Sequence, residues 1–193
     1  MKTYQYYAGG NWHDPASGQW IDSENPALGE VWARVPECNA DDIDRAVQAA
    51  RGCYYQGPWG RMQPAERGRV ITRIGDVITK HAERLGKVET RDNGKLPKNI
   101  TPSLKSWQTD SFYYYAGMCD KFEGSLLPTE APDMLNYLRW EAFGVCALIT
   151  AWNSPLGVLI CKLAPALAAG NAVVIKPSEH DSVSTLELMS VRQ

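Results

Sequence analysis

An α/β fold is predicted by three features of the sequence. Residues 145–151 and 172–175 form two short apolar runs, separated by an apolar segment patterned as a helix of about three turns. Each run ends in a polar cluster, Trp152-Asn153-Ser154-Pro155 after the first and Lys176-Pro177-Ser178-Glu179 after the second. Ahead of them the chain alternates turn-rich, hairpin-like pieces with amphipathic helical patterns. Strand, helix and strand in that order build a right-handed parallel βαβ unit, whose crevice opens beyond the strands' carboxyl ends. Both polar clusters fall there.

Residues 4–36 set Gly9-Gly10-Asn11, Asp14-Pro15, Ser17-Gly18, Asn25-Pro26 and Leu28-Gly29 between short aromatic or β-branched pieces, which predicts a small antiparallel hairpin region. Asn39 and Asp41-Asp42 then precede Ile43, Ala46, Val47 and Ala50, an N-cap followed by one apolar helical face. Gly57-Pro58-Trp59-Gly60 interrupts that helix. Pro64 and Glu66 open a longer one, whose face carries Ile71, Ile74, Ile78 and Leu85 and which should end near Asn93-Gly94. Residues 104–118, rich in aromatics, read as a further helix. Gly124, Pro128 and Pro132 make 119–136 turn-rich, and 135–140 alternate in strand fashion, so an extended arm is expected over 120–142. The expected division is a hairpin and helical part over 1–119, the arm over 120–142 and a first βαβ unit over 143–193. A single crossover leaves sheet edges unpaired and a sheet face uncovered, and the sequence stops inside what reads as its next helix. Further chain, or another surface, is expected to cover it.

Composition narrows the function classes. At 44% hydrophobic the 193 residues can bury a real core. With 20 basic and 22 acidic residues spread along the chain, the formal charge of −2 gives no reason to expect nucleic acid or an anionic membrane as partner. The N-terminus lacks the apolar core of a signal peptide, and Lys162, Pro165, Gly170 and Asn171 cut the longest apolar stretch short of a bilayer span. A soluble cytoplasmic protein is expected. Cys38, Cys53, Cys119, Cys146 and Cys161 are odd in number, widely spaced and outside any CxxC or Cys/His ligand pattern, so neither a disulfide framework nor a metal site is indicated.

Each polar cluster has a local and a chemical reading. Ser154 as helix cap, Pro155 in the first turn and Asn153 as a turn residue satisfy local preferences alone. The same geometry sets the Asn153 side-chain NH2 beside a helix N-terminus, two positive dipoles able to hold a developing oxyanion. Lys176 and Glu179 suit a solvated strand end, and equally suit the ribose hydroxyls of a dinucleotide, although no GxGxxG follows the first run. Lys162, the sole charged residue between Pro155 and Ile175, either lays its methylenes on apolar surface and reaches water or turns its ammonium inward as support. His13, His81 and His180 share no spacing and read as surface residues. Cys146 and Cys161 sit in apolar runs and read as inert packing.

The run ITAWNSPLGVLICKLAPALAAGNAVVIKPSE closely resembles the corresponding segment of the aldehyde dehydrogenase superfamily. Gly10-Asn11-Trp12, Asn25-Pro26 with Gly29-Glu30-Val31, the helix over 41–51 and Glu89-Thr90-Arg91-Asp92-Asn93-Gly94-Lys95 are similar too. The resemblance covers essentially the whole chain but only the leading portion of a typical member. It implies the start of an aldehyde dehydrogenase-like fold, with an incomplete parallel dinucleotide-binding sheet and an oligomerisation arm. It implies NAD(P)+-dependent oxidation of an aldehyde to a carboxylic acid, through a cysteine thiohemiacetal and thioester.

By that resemblance Asn153 is the oxyanion asparagine. Ile149, Thr150, Ala151 and Trp152 line the nicotinamide side of the cofactor channel, Lys176, Ser178 and Glu179 meet the adenosine ribose, and Lys162 is a support residue of open role. The cofactor is NAD or NADP, with NAD favoured because Glu179 accepts from free ribose hydroxyls and repels a 2′-phosphate. Ala151, Ser154 and Ala142 replace residues the family often has there, so substrate size does not carry over. The nucleophilic cysteine, the glutamate base and the pyrophosphate glycines are expected beyond these residues, so the chain alone is expected to be inactive. A small-molecule aldehyde and a homo-oligomer are the implied partners. The alternative is a non-catalytic binding or assembly module that pairs with a complementary C-terminal polypeptide.

Overall fold

The computed structural model describes residues 1–191. Its N-terminal part is the expected region of short strands. Strand β1 (Lys2–Thr3) runs parallel to β5 (Glu30–Pro36), which pairs antiparallel with β4 (Trp20–Asn25). Strands β2 (Tyr6–Ala8) and β3 (Asn11–His13) form a separate hairpin, turned by Gly9 and Gly10 at φ +59° and +85°. Two consecutive left-handed residues match the strand twist in a two-residue turn, which is why glycine occupies both. The parallel β1–β5 pairing has no local sequence signature.

Helix α1 (Ala40–Tyr55) starts at Asn39, whose side chain accepts from the Asp41 and Asp42 backbone while Asp42 reciprocates in a capping box. Ala50 is buried as its spacing predicts, but Ile43 remains 43% exposed. It lines an open apolar groove of about 720 Å3 between α1 and the parallel sheet, and so does not reach a closed core. A single 3-10 turn (Trp59–Arg61) follows, then α2 (Pro64–Asn93), ended by Gly94 at φ +76°. The left-handed cap is the residue type and position the sequence predicts.

The helix expected over 104–118 is present as α4 (Trp107–Met118), and a further short helix that the sequence reading did not expect, α3 (Pro97–Leu104), precedes it, the two separated where Ser106 leaves helical geometry at φ −136°. Burial of Ile100 and Leu104 in the main core holds α3 in place. Strands β6 (Ser125–Leu127) and β7 (Asn136–Leu138) pair antiparallel in a hairpin, with residues 121–130 and 132–141 all exposed.

The βαβ unit is present: β8 (Val145–Ile149), α5 (Pro155–Ala168) and β9 (Ala172–Lys176), the strands parallel with Ile149 opposite Lys176. Strand β8 stops two residues short of the expected end because the chain turns at 152–154, although Thr150 N still donates to Lys176 O at 3.1 Å. Helix α6 (Val183–Ser190) follows. The main core joins Ile71, Ile78 and Leu85 of α2 and Phe112 of α4 to Leu156, Leu159, Ile160 and Leu163 of α5. Helix α5 is thereby clamped between sheet and helices. Among the described residues β8 and β9 pair only with each other.

Two expectations for single residues are corrected. His13 is half-buried, stacked on Tyr6 at 5.3 Å with Nε2 3.1 Å from Ala8 O, and His81 is half-buried as well. Cys161 is exposed on the solvent side of α5 because its helical position, and not the apolar run around it, sets its direction, while Cys146 is half-buried. Among the described residues no helix is long and apolar enough to cross a membrane, and no group of three or more His, Cys, Asp or Glu is disposed to hold a metal ion.

Candidate functional site

Parallel pairing of β8 with β9 sets the two polar clusters side by side at the strands' carboxyl ends. From β8 emerge Ile149, Thr150, Ala151, Trp152 and Asn153. Thr150 is buried, its Oγ1 without a partner among the described residues, whereas Ala151, Trp152 and Asn153 are exposed. Ile149 and Trp152 leave 62% and 59% of their surface open beside Asn153. The Asn153 side chain makes no hydrogen bond among the described residues, so only the backbone of its turn aims it.

From β9 emerge Lys176, Ser178 and Glu179. Lys176 Nζ lies 3.4 Å from Glu179 Oε2, both side chains about half in water, and His180 Nε2 lies 3.7 Å from Glu179 Oε1. The Glu179 backbone N–H, then Lys176, hold the Glu179 carboxyl below its ordinary value. Ser178 is buried and its Oγ accepts from His180 N at 3.3 Å, which ties it into its own turn. Lys176, Pro177 and Glu179 line one end of the 720 Å3 groove, while residues 149–153 lie outside its lining. The groove therefore belongs to the β9 side of the crevice. An ion pair over an apolar groove at a parallel sheet's carboxyl edge fits a dinucleotide's ribose and base, and the exposed Ile149–Trp152 surface fits a second flat ring.

Lys162 matches neither sequence reading alone. It lies exposed on α5, and its Nζ donates to Ile149 O at 2.5 Å, tethering the helix to the last residue of β8. Ser154 departs from its expected role: it occupies the N-cap of α5 but makes no capping bond, and its Oγ accepts from Lys95 Nζ at 3.1 Å. Pro155 stands in the first turn as predicted. Ser182, ahead of α6, likewise fails to cap, its Oγ donating to Ser178 O at 2.6 Å.

A carboxylate from the last turn of α2 takes over the cap of α6. Asp92 Oδ2 accepts from Val183 N at 2.9 Å and Oδ1 from Ser23 Oγ at 2.6 Å. The Glu89 carboxyl faces the Leu156 backbone N–H, the first donor of α5 because Pro155 has none. Glu89 is 2% exposed, and its Oε2 has no partner among the described residues. Burial pushes its pKa up to about 7, against the pull of Lys95 and the Leu156 N–H. Asp181, also 2% exposed, faces Asp92; burial and that neighbouring carboxyl push it far up, so it keeps its proton, and neither of its oxygens has a hydrogen-bond partner among the described residues.

The sequence reading gave Glu89, Asp92 and Asp181 no role. A signal existed for the first two. Ile71, Gly75, Ile78, Ala82, Leu85, Glu89 and Asp92 recur at three-, four- and seven-residue steps and are all buried, so the acids continue the apolar stripe of α2.

The sequence model of the aldehyde dehydrogenase family matches residues 12–193. A (Z)-2-((N-methylformamido)methylene)-5-hydroxybutyrolactone dehydrogenase of Acinetobacter baylyi is 41% identical over 187 residues, 97% of this chain and 38% of that protein. The human mitochondrial aldehyde dehydrogenase is 39% identical over 189 residues, 94% of this chain and 35% of that one. Among solved structures, a Staphylococcus aureus betaine aldehyde dehydrogenase in complex with NAD+ superimposes with a TM-score of 0.90 at 34% identity, covering 96% of this chain and 37% of the other. A Bacillus cereus aldehyde dehydrogenase gives 0.91 at 35% identity, covering 96% and 38%. The chain thus spans a little over a third of the length of the relatives it matches.

Proposed function

The chain belongs to the aldehyde dehydrogenase family, and from that premise we propose that it supplies one wall of an NAD(P)+-dependent aldehyde-oxidising site, with NAD+ the favoured cofactor. The observation that carries this reading is the alignment of the two strand ends, which brings Asn153 and the Lys176–Glu179 pair to the same edge.

In this reading Asn153 donates its side-chain NH2 to the aldehyde oxygen as that atom gains negative charge, helped by the positive end of α5. Ile149, Thr150, Ala151 and Trp152 form the surface against which the nicotinamide end lies and exclude water from it. Glu179 accepts from the adenosine ribose hydroxyls, and Lys176 and Ser178 stand beside it. Bound there, the nicotinamide accepts the hydride that leaves the aldehyde carbon. Lys162 supports the strand end through the Ile149 carbonyl.

The thiolate and the general base come from polypeptide other than these residues. Burial, joined in Cys38 by Asp42, raises the thiol pKa of Cys38 to about 11, and burial raises that of Cys119, the wrong direction for a nucleophile. The exposed hairpin over 120–142, with Leu126, Tyr137 and Trp140 open to solvent, acts as an arm for a second copy or a complementary chain. The division into 1–119, 120–142 and 143–193 is part of this proposal. The substrate is a small aldehyde, the setting is cytoplasmic, and the residues alone give no turnover.

The test is a chimera in which this chain replaces the matching segment of the Acinetobacter relative. Reduced cofactor formed from aldehyde and NAD+ supports the reading; a folded chimera that binds NAD+ and forms none overturns it. In the same chimera Glu179→Gln is expected to weaken NAD+ more than NADP+, and equal effects would remove the preference for NAD+.

A further inference from the structure

We propose that Lys95 is a positioning residue for Asn153: its ammonium holds the Ser154 hydroxyl out of the cap of α5 and so fixes the turn from which the Asn153 amide projects. The proposal rests on the role assigned to Asn153 above. Asn153 is exposed and its side chain makes no hydrogen bond among the described residues, so its aim is inherited from the backbone on either side. Upstream, Thr150 N is held by Lys176 O at 3.1 Å. Downstream the neighbour is Ser154, whose Oγ accepts from Lys95 Nζ at 3.1 Å.

A serine ahead of a helix ordinarily turns its hydroxyl onto the N–H groups of the first turn. Ser154 opens α5 with its carbonyl, which accepts from Val158 N at 2.8 Å, but its side chain makes no capping bond. The Lys95 ammonium competes with those N–H groups for the Ser154 oxygen, and a charged donor makes the stronger bond. Lys95 can hold the turn because it is itself held. It is half-buried, its backbone N–H donates to Asn93 Oδ1 at 2.9 Å, and it follows Gly94, which ends α2 at φ +76° with its N–H on Thr90 O at 2.9 Å. The lysine stem thus springs from the end of a helix packed into the main core.

The other sides of Ser154 are closed. A Cβ on Gly157 would stand 2.8 Å from Ser154 Oγ and 3.2 Å from Gln108 Nε2, so the hydroxyl occupies space that glycine leaves free. Gln108, buried on α4, is fixed in turn: its Nε2 donates to Ser103 Oγ at 3.1 Å, and Ser103 Oγ donates to Ile100 O at 2.8 Å. Lys95, Gly157 and Gln108 together leave the Ser154 side chain one place, and the residue before it inherits one direction. An amide that must meet a developing oxyanion gains from that constraint, because small misplacements of a catalytic group are costly in rate.

The experiment compares, by NMR, the isotopically labelled chain with Lys95→Met, Ser154→Ala and the double variant, reading the Asn153 side-chain NH2 and backbone amide. Lys95→Met keeps the stem and removes the donor, and Ser154→Ala keeps the donor and removes its acceptor. Each is expected to shift both Asn153 signals, and Lys95→Met to add no further shift once Ser154 is alanine, since the two act through one bond. Lys98→Met, on exposed α3 surface, should leave the signals in place. In the chimera, Lys95→Met should lower kcat about tenfold with the NAD+ KM unchanged. Asn153 signals that do not move in Ser154→Ala overturn the proposal whether or not Lys95→Met folds. A Lys95→Met shift of equal size with and without Ser154, or a loss carried by the NAD+ KM, overturns it too. An inactive chimera would count against the functional reading and leave the NMR comparison unaffected.

Discussion

Both oxygens of Asp92, in the last turn of α2, meet neutral donors, Ser23 Oγ and Val183 N, whereas Glu89, one turn earlier, leaves one buried oxygen without a partner among the described residues. The contrast continues along α6. Glu187, equally buried, accepts from Lys2 Nζ at 2.8 Å, Tyr4 OH at 2.9 Å and Arg84. Burial pushes its carboxyl up, and the bonds from Lys2, Arg84 and Tyr4 outweigh burial and hold it below its ordinary value. Burial wins at Glu89 and loses at Glu187. The segment after β9 is therefore tied to the N-terminal strands through Asp92 and Glu187, while Glu89, one turn before Asp92 on the same helix, is a buried carboxyl that burial pushes up. Buried polar atoms without a partner among the described residues occur on both sides, at Glu89, Gln108 and Thr150 near α5 and at Asp181, Ser184 and Thr185 at the start of α6, so the two regions differ in how their buried glutamates are paired and not in how many atoms are left over.

Breaking the satisfied side should do the most damage. Glu187→Ala strands a buried Tyr4 hydroxyl and two half-exposed cations, and a loss of about 4 kcal/mol in chemical denaturation is expected. A loss below about 1 kcal/mol would mean that Lys2 and Arg84 gain nothing from burial of their partner.

The unsatisfied side should behave with the opposite sign. Glu89 is protonated more readily folded than unfolded, so its contribution is fully present below about pH 4.5 and is lost as pH rises through about 7. Glu89→Gln should match the wild type near pH 4.5 and be more stable by about 2–3 kcal/mol at pH 8. Asp181 titrates in both proteins and cancels in the difference. A variant less stable than wild type at pH 8 would show that the charged cap outweighs its own desolvation. Above neutrality the buried carboxylate therefore weakens the fold.

Two smaller changes sharpen the comparison. Gly94 holds φ +76° between Glu89 and Lys95, and an added Cβ would meet Pro26 Cγ at 2.9 Å. Gly94→Ala should cost about 1 kcal/mol or somewhat more and perturb the Leu156 amide before the Val183 amide. Lys162→Met removes a solvent-exposed donor from Ile149 O and should cost no more than about 1 kcal/mol, with faster exchange confined to the end of β8.

How much of this was legible in the sequence depended on whether the cause is local. The βαβ unit, the Asn39 cap, the Gly94 stop and the hairpin turns follow from neighbouring residues, and they stand where the pattern puts them. The family resemblance pointed to Asn153 and to the Lys176–Glu179 pair, and their shared edge follows from the parallel register. Helix α3 was hidden because its eight residues include Pro97 and Pro102, which read as breakers, and burial of Ile100 and Leu104 in the main core holds it. Ser154 and Ser182 were illegible for another reason. A serine before a helix is a cap by local rules, whereas here Lys95 takes the Ser154 hydroxyl as its acceptor and Asp92 of α2, 91 residues away in sequence, supplies the acceptor for Val183 N. Glu89 and Asp92 could have been singled out as acids on an apolar stripe, but not what they would meet.

The central claim is that Asn153 holds the developing oxyanion in an aldehyde-oxidising site. The most direct test is Asn153→Ala in the chimera with the Acinetobacter relative, at saturating NAD+ and aldehyde above pH 7.5. The account predicts that kcat falls about 10²–10³-fold, the loss of one oxyanion donor, with the NAD+ KM little changed. An unchanged kcat, or a loss carried wholly by the NAD+ KM, would contradict it.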